Sequence, residues 1–226
     1  MLHVEKLGRR EGRLHILEDI SFDWSRGVLA LIGGNGTGKT TLLRVVAGAS
    51  RPNAGTVTWN GVPTSRVARQ RGKIGYGPQE RNLDLAITLR EFLGLCVDLR
   101  GLRGRAARIA AVADELGLSK QLDEQLANLS GGGRRKAMTA QALLGTPELI
   151  VLDEPTSEVD YAASRRFWSA FRARGKSAAL VIATHDVELA LASADAILLL
   201  QRGQPARLAP AGDFRIDELS SAIGEG

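Results

Sequence analysis

The stretch GGNGTGKT, residues 33–40, constrains what this chain can fold into more than any other part of its sequence. It matches the pattern G-x-x-x-x-G-K-[ST] in full, and it lies between the apolar run VLALI and the helical pattern TLLRVVAGA. Glycines let the backbone curl so that successive N–H groups point at one anion, and the following helix adds the positive end of its dipole. This order of strand, loop and helix therefore predicts a cradle for the phosphates of a nucleotide. The alternative is a glycine-rich turn that only joins the strand to the helix.

The individual residues of this loop have separate predicted roles. The Lys39 ammonium should reach the β- and γ-phosphates, and the Thr40 hydroxyl should bind Mg²⁺. Thr41 should add a hydroxyl near the α-phosphate. The other predicted nucleotide contacts in the loop are Gly33, Asn35, Gly36, Thr37 and Gly38.

Two adjacent carboxylates follow the apolar run LIVL in the segment LIVLDEPTSEVD, residues 149–160. Asp153, at the end of a predicted buried strand, is assigned to the Mg²⁺ site, where it would accept hydrogen bonds from metal-bound water. Glu154 points the other way on an extended chain, toward an attacking water, and is the predicted general base. The alternative is a pair of carboxylates that only caps the next turn.

Two further polar residues are expected near this site. His185 ends the apolar run in ALVIATHD and should reach the same sheet edge as Asp153, where ligands of open α/β sheets bind. A contact of His185 with the γ-phosphate is therefore predicted, and the alternative is a structural histidine. Gln79, in GYGPQE, stands where the α/β core gives way to helices, so its amide is a candidate ligand of Mg²⁺ or of the attacking water.

A second glycine-rich segment, LSGGGRRKAM, occupies residues 129–138. Ser130 can cap the helix that follows, and the first turn, with Gly131 and Gly132, can offer N–H groups to an anion. The alternative is an ordinary loop before a helix. Two anion-binding loops in one small chain need an explanation that this segment alone does not give.

The apolar pattern predicts how these segments are arranged along the chain. Residues 1–32 alternate apolar and polar positions with turns between them, which predicts short strands. Residues 88–145 carry apolar residues at helical spacing, and strands and helices alternate afterwards. The pattern is typical of an α/β fold with a mainly parallel sheet covered on both faces, into which a helical lobe is inserted.

Composition says little about where the protein works or what it binds. A net charge of +5 does not distinguish an acidic lipid surface from a nucleic acid as partner. Cys96 is the only cysteine, and its place in an apolar helical pattern predicts a small core residue. The N-terminal stretch MLHVEKLGRREG lacks the apolar segment of a secretory signal, and the apolar runs fall short of the ~20 residues of a membrane span. If the protein works at a membrane, another chain is expected to span it.

The phosphate loop, Gln79, LSGGG, LIVLDEPTSEVD and ATHD, in this order, resemble the ATP-binding-cassette (ABC) ATPases over nearly the whole chain. The resemblance implies a P-loop NTPase fold with a RecA-like, mainly parallel sheet, an N-terminal antiparallel β-subdomain and an inserted α-helical subdomain. One ATPase domain is expected over residues 1–226. Its expected parts are 1–78 (β-subdomain and Walker A core), 79–145 (helical subdomain with the signature motif) and 146–226 (Walker B and switch core).

The same resemblance assigns a family motif to each segment. The matches are Gly33–Thr41 to the Walker A loop, Gln79 to the Q-loop, Leu129–Gly133 to the signature, Asp153 to Walker B, Glu154 to the catalytic glutamate, Ser157–Asp160 to the D-loop and His185 to the switch histidine. In this family two cassettes pack head to tail, and the signature of one covers the ATP held by the other. The resemblance thus implies ATP and Mg²⁺ as cofactors, ATP hydrolysis as the activity and a second ABC ATPase chain, identical or related, as a partner. It also explains the two anion-binding loops, because each loop forms half of a site in the dimer.

The chain departs from the family pattern at two places. Gly133 stands where the signature usually ends in Gln, and weaker closure of the dimer is expected from the lost side chain. Family members usually stack an aromatic residue of the N-terminal strands on the adenine, but residues 1–21 contain no Phe, Tyr or Trp. The hypothesis is that a flat cationic or imidazole side chain replaces it. The candidates are Arg9, Arg10, Arg13 and His15.

The leading interpretation is the nucleotide-binding subunit of a membrane transporter. The stretch IGYGPQERNLDLAITLREFLGLCVDLRGL resembles the ATPases of bacterial drug- and antibiotic-type exporters. This implies a separately encoded membrane-spanning subunit as partner, and a cytoplasmic location at the inner face of the cell membrane.

Two alternatives remain open. A soluble cassette acting on nucleic acid, the ribosome or cluster assembly would use the basic residues of the helical lobe. Those residues are Arg100, Arg103, Arg105, Arg108, Arg134, Arg135 and Lys136. A solvated or lipid-adjacent face is the preferred interpretation of this charge, so no nucleic-acid partner is expected. The other alternative is a module that binds nucleotide without hydrolysing it, which Glu154 and His185 argue against.

Overall fold

The computed structural model describes residues 1–70, 72–79 and 85–224. The strands in this part of the chain are β1 (Leu2–Glu11), β2 (Leu14–Trp24), β3 (Gly27–Gly33), β4 (Ala54–Trp59), β5 (Val62–Pro63), β6 (Ile74–Gly77), β7 (Leu149–Asp153), β8 (Ala179–Ala183), β9 (Ala196–Leu200) and β10 (Arg207–Pro210). The helices are α1 (Lys39–Val46), α2 (Thr64–Val67), α3 (Leu89–Leu99), α4 (Arg105–Leu116), α5 (Gly131–Leu143), α6 (Tyr161–Gly175), α7 (Val187–Ser193) and α8 (Ile216–Gly224).

The first strands form an antiparallel sheet in the order β2-β1-β4-β5. In β1 the side chains of Leu2, Val4 and Leu7 are buried, which is one residue out of strict alternation after Val4. A register shift between Val4 and Leu7 accounts for this, because one extra residue on one strand moves the next side chain to the other face. The buried face of this sheet packs with α1 and one side of the larger sheet.

The larger sheet has the order β10-β9-β3-β8-β7-β6 and is parallel except for its edge strand β10. Val28, Ala30 and Ile32 of β3 belong to the core formed with the helical lobe and α6 to α8. Leu29 and Leu31 belong to the core formed with the antiparallel sheet and α1. Both faces of the sheet are therefore covered, as the near-continuous apolar runs predict.

The helical lobe packs closely on the edge of the larger sheet. Thr88 and Glu91 form a capping box that begins α3, and the Ser130 hydroxyl caps α5 by accepting from the Gly133 N–H at 3.0 Å. A Cβ at Gly75 of β6 would collide with the carbonyl oxygen of Ala142 in α5. Glycine at position 75 therefore lets α5 lie directly against β6.

The predicted strands and helices are confirmed for 1–32, 88–145 and the alternating segments that follow. Strand β6 was not predicted, because IGYG is short and its two glycines remove the apolar alternation of a half-buried strand. Cys96 is half-buried against the core, and burial raises the pKa of its thiol. Within the described ranges, no helix combines the length and the apolar character that crossing a bilayer requires.

Candidate nucleotide site

Most of the predicted site residues line one cleft of about 280 Å³ at the carboxyl ends of β3, β7 and β8, and Gly33, Thr37 and the second glycine-rich segment do not. The cleft is lined by Ile16, Asn35, Gly36, Gly38, Lys39, Thr40, Thr41, Gln79, Asp153, Glu154 and His185. Parallel pairing brings them together, since Asp153 lies level with Ala183 of β8 and β8 pairs with β3. A larger groove of about 1060 Å³ lies along α6 and α7 and contains none of the predicted site residues.

The glycines of the loop are required by its backbone and by its neighbours. Gly36 has a φ of 75° and Gly38 a φ of 96°, a left-handed region that side chains disfavour. A Cβ at Gly33 would collide with the carbonyl oxygen of Leu200 at the end of β9. The loop is thus a fixed structure, in which α1 begins at Lys39 directly behind the cleft.

Lys39 is held inside the loop by backbone oxygens. Its Nζ donates to the carbonyl of Gly33 at 2.7 Å and to that of Gly34 at 2.9 Å. Burial lowers the pKa of Lys39, while the charges of Glu154 and Asp153 act in the opposite direction. An ammonium has three N–H donors, so one remains for a phosphate oxygen.

Asp153 is 2% exposed at the end of β7. Burial raises its pKa, and the hydrogen bond from the Thr40 hydroxyl and the charges of Lys39 and Arg135 oppose that effect. Its Oδ2 is buried and has no hydrogen-bond partner among the described residues. A buried oxygen of this kind is costly unless a ligand satisfies it, and with the adjacent Thr40 hydroxyl it fits a hydrated Mg²⁺.

Glu154 follows Asp153, but the expectation of an extended backbone there is wrong. Its φ is 50°, a left-handed conformation that is uncommon for a residue with a side chain and is concentrated at functional sites. The turn carries the carboxylate into the cleft, where Oε1 is buried and has no hydrogen-bond partner among the described residues. His185 Nε2 lies 3.2 Å from that oxygen. This contact lacks hydrogen-bond geometry.

Electrostatics raise the pKa of Glu154 and lower that of His185. Burial raises the pKa of Glu154 to about 7, helped by the charge of Asp153 and opposed by Lys39 and the His185 backbone N–H. Partial burial and the charge of Lys39 lower the pKa of His185. The neutral imidazole is therefore favoured beside a carboxyl that can gain or lose a proton near pH 7, as general-base chemistry requires.

The second glycine-rich segment lies outside the cleft of its own chain. Ser130 is exposed at the N-terminus of α5, and none of Ser130, Gly131 and Gly132 lines the cleft. The two glycines pack against Glu158 of the predicted D-loop, and a Cβ at Gly132 would meet the Glu158 carbonyl oxygen at 2.5 Å. The close approach of Glu158 to Gly131 and Gly132 explains why glycine occupies these two positions, without a ligand bound by the same chain.

Gln79 lines the cleft and is exposed. Its backbone carbonyl accepts a hydrogen bond from Nη1 of Arg135, which lies on α5. The sequence placed Arg135 only among the basic residues of the helical lobe. No sequence signal indicates this contact, because it joins two elements that are 56 residues apart.

Ile16 is the residue of β2 that reaches the cleft, and its side chain packs against Gly38. His15 lies in an adjoining recess of about 390 Å³ with Gly36 and Thr37, while Arg9 donates to the carbonyl of Arg51. The sequence missed Ile16, whose only signal is its place on the strand before the loop. The hypothesis that an arginine or His15 replaces the adenine-stacking aromatic stays a prediction, and His15 is the candidate beside the loop.

Comparison with known proteins gives the same family at several levels. The family model described as ABC transporter matches residues 17–157, more than half of the chain. The chain is 35% identical over 209 residues to Nod factor export ATP-binding protein I of Burkholderia orbicola (strain AU 1054), covering 89% of this chain and 67% of that protein. It is 36% identical over 231 residues to the zinc import ATP-binding protein ZnuC of Halorhodospira halophila (strain DSM 244 / SL1), covering 99% and 83%.

Solved structures agree. An ATP-binding subunit of an ABC transporter superimposes with a TM-score of 0.84 at 27% identity, covering all of this chain and 96% of that one. The dimeric ATP-binding cassette MJ0796 bound to ADP and Pi superimposes with a TM-score of 0.83 at 22% identity, covering 93% of this chain and 99% of that one, which supports the fold alone. From the family model and the curated relatives, this chain belongs to the ABC transporter family, in which it is an ATP-binding subunit and an ATPase.

Proposed function

We propose that this chain binds Mg·ATP in the cleft and hydrolyses it only when paired head to tail with a second cassette. The observation that carries the proposal is the separation of the two halves of the site. The cleft holds the phosphate loop and the acid pair, whereas Ser130 stands exposed at the N-terminus of α5, outside that cleft. A second chain can supply the missing donors, because a helix N-terminus offers unpaired N–H groups to an anion.

The proposed roles follow from the geometry of each side chain. Lys39 and the loop N–H groups would bind the phosphates, with one lysine N–H directed at the β- and γ-phosphates. Thr40, Asp153 and Gln79 would hold Mg²⁺, which supplies neutralising charge to the phosphates when bound. The described residues contain no cluster of three His, Cys, Asp or Glu side chains suited to a metal. Substrate phosphates and water would therefore complete the coordination, as is usual for this ion.

Glu154 would take a proton from the attacking water, and His185 would contact the γ-phosphate and orient the carboxylate. Their positions support these roles, since His185 Nε2 is 3.2 Å from the Glu154 carboxylate and the pKa of Glu154 is raised to about 7. In the dimer, Ser130, Gly131 and Gly132 would contact the ATP of the opposite chain. Binding would close the pair, and loss of the γ-phosphate would remove the charge that bridges it.

A Glu154→Gln substitution tests this mechanism. The variant should bind ATP as the wild type does and lose at least about a hundredfold in turnover, the usual contribution of a general base. It should also accumulate as an ATP-bound dimer, seen by sedimentation or light scattering. Near-normal hydrolysis would remove Glu154 from the role, and a monomer at saturating ATP would contradict the shared site.

The finer assignment is an exporter subunit that docks a membrane-spanning partner at the inner, cytoplasmic face of the cell membrane. It is supported by the likeness of residues 74–102 to exporter ATPases, of which 80–84 lie outside the described residues. The names of the curated relatives include both directions of transport, since one is a Nod factor export protein and another a zinc import protein. The division into parts 1–78, 79–145 and 146–226 belongs to the same proposal.

Purification of the tagged chain from detergent extracts tests the partner. Retention of a multi-span membrane protein would support transport, and retention of nucleic acid or ribosomes would replace it with the soluble alternative. An associated binding protein from outside the membrane would contradict export, since such proteins deliver cargo inward.

A further inference from the structure

Arg135 connects the helical lobe to the cleft of its own chain. It is half-buried in α5, five positions after Ser130, and its Nη1 donates to the backbone carbonyl of Gln79. Its Nε is buried without a hydrogen-bond partner in the described ranges. The side chain is thus partly packed against the rest of the chain.

The charge of Arg135 also reaches the acid pair. Burial raises the pKa of Asp153 and of Glu154, and Arg135 is among the cations that oppose this effect at both carboxyls. The guanidinium is therefore close enough to both strand-end carboxylates to favour their charged forms. Arg135 thus contacts Gln79 directly, from the helix that presents Ser130, and acts on the acid pair only through its charge.

Helix α5 links the contact of Arg135 with Gln79 to the position of Ser130. Five residues of α-helix span about 7.5 Å, and a helix can carry a displacement along its length as a rigid element. A shift of Gln79 on nucleotide binding can therefore displace Ser130 through Arg135. The other end of that helix rests on β6, where Gly75 allows close contact.

We propose that Arg135 is a positioning residue that ties the backbone at Gln79 to α5, so that nucleotide in a chain's own cleft orients the Ser130 that this chain offers to its partner. The inference rests on the proposed head-to-tail dimer. It assigns Arg135 no contact with the bound nucleotide, and it predicts that its loss affects pairing more than ATP binding.

The test uses the Glu154→Gln protein as the parent, with Arg135→Ala, Arg135→Gln and Arg135→Lys added singly. Arg135→Gln keeps a neutral donor for the Gln79 carbonyl. Arg135→Lys keeps the positive charge but replaces the planar guanidinium with an ammonium group. Lys136→Ala is the matched control, since Lys136 is the next residue of α5 and makes no hydrogen bond or ion pair with other described residues. Two quantities are measured: the affinity for a fluorescent ATP analogue at concentrations where the chain is monomeric, and the dimer dissociation constant at saturating Mg·ATP.

We expect Arg135→Ala to keep the monomer's nucleotide affinity within about twofold and to weaken the dimer about tenfold or more, the size of effect given by losing one charge-assisted hydrogen bond. Arg135→Gln should recover part of the dimer affinity, and Lys136→Ala should match the parent. Unchanged dimer affinity in Arg135→Ala overturns the inference, as does an equal loss of nucleotide affinity, which would mean direct contact with ATP. If the parent itself does not dimerise with ATP, the proposed function fails instead.

Circular dichroism and urea unfolding of Arg135→Ala guard against a folding defect. If that variant is unfolded, Arg135→Met replaces it, since methionine keeps much of the side-chain volume but has no donor for the Gln79 carbonyl, and the same loss of dimer affinity is expected. In the otherwise wild-type chain, Arg135→Ala should lower kcat/KM at low protein concentration and approach the normal kcat as the concentration of chain increases. A kcat defect that persists at all concentrations would contradict a role in pairing.

Discussion

At the residue scale, Glu154 combines several features that are unfavourable for the stability of the fold. It has a left-handed backbone, is 5% exposed and has a buried oxygen without a partner among the described residues. Each feature destabilises the fold, and natural proteins tolerate such features mainly where chemistry requires them. The same burial that raises its pKa to about 7 makes the carboxylate able to accept a proton at neutral pH.

This raised pKa predicts a pH-dependent stability. Between the ordinary pKa of 4.5 and about 7 the folded state holds a proton that the unfolded chain has released, so stability falls as pH rises through that window. Glutamine at position 154 removes the effect. Relative to Glu154→Gln, the nucleotide-free wild type should therefore lose about 1.6 kcal/mol of unfolding free energy between pH 5.5 and 7, because the slope of roughly 1.4 kcal/mol per pH unit falls to half at the folded-state pKa.

Urea unfolding of both proteins across pH 5.5–8.5 gives this difference directly. A constant difference over that range would show that the carboxyl titrates at its ordinary pKa in the folded chain.

At the element scale, the contact of α5 with β6 depends on a missing side chain. A Cβ at Gly75 would collide with the Ala142 carbonyl, and one at Gly77 would lie 2.9 Å from a methyl of Leu152. The first obstacle is backbone and cannot move away as a flexible side chain can. The position of α5, and with it that of Ser130 and Arg135, therefore depends on this glycine.

Gly75→Ala should force α5 away from the sheet and destabilise the fold by about 1–3 kcal/mol, as overpacking does. The midpoint of urea unfolding measures it. Gly212→Ala is a suitable control, because a Cβ at that exposed glycine meets nothing within 4 Å. If both variants unfold at the wild-type midpoint, the close packing of α5 on β6 is not a constraint.

At these two scales, the sequence could predict a feature when adjacent residues encode it, but not when contacts between distant segments determine it. The phosphate loop and the acid pair are encoded in a few adjacent residues, so their positions and their meeting at one sheet edge could be predicted. The left-handed turn at Glu154 could not, since it depends on how β7 ends against β8. Ile16 and Arg135 were missed because tertiary packing alone brings them to the cleft. Strand β6 was missed because two of its four residues are glycines. These glycines let α5 pack closely on the strand, but they also remove the apolar alternation by which a strand is predicted.

At the scale of the whole molecule, the two proposed half-sites do not meet within one chain. The cleft and the exposed Ser130 are fixed by different elements of the same fold. Head-to-tail pairing with two-fold symmetry would complete both sites at once, because each chain gives the same two surfaces.

Complementation tests this arrangement for two copies of the chain. Lys39→Ala should disable the cleft, and Ser130→Phe should block the surface offered to the partner, so each variant alone should be inactive. An equimolar mixture should regain about a quarter of the wild-type rate, because half of the pairs are mixed and each mixed pair has one complete site. ATP turnover at fixed total protein measures the recovery. No recovery from two folded, dimerising variants would exclude a shared site between identical chains.

Strand β3 divides its side chains between two cores, with Val28, Ala30 and Ile32 on one face and Leu29 and Leu31 on the other. The antiparallel sheet and α1 cover one face of β3, and α6 to α8 cover the other, so unfolding of either layer would expose apolar side chains of this strand to water. Scanning calorimetry of the isolated chain should accordingly give a single endotherm whose calorimetric and van't Hoff enthalpies agree. The layers on the two sides of the larger sheet should therefore unfold as one cooperative unit.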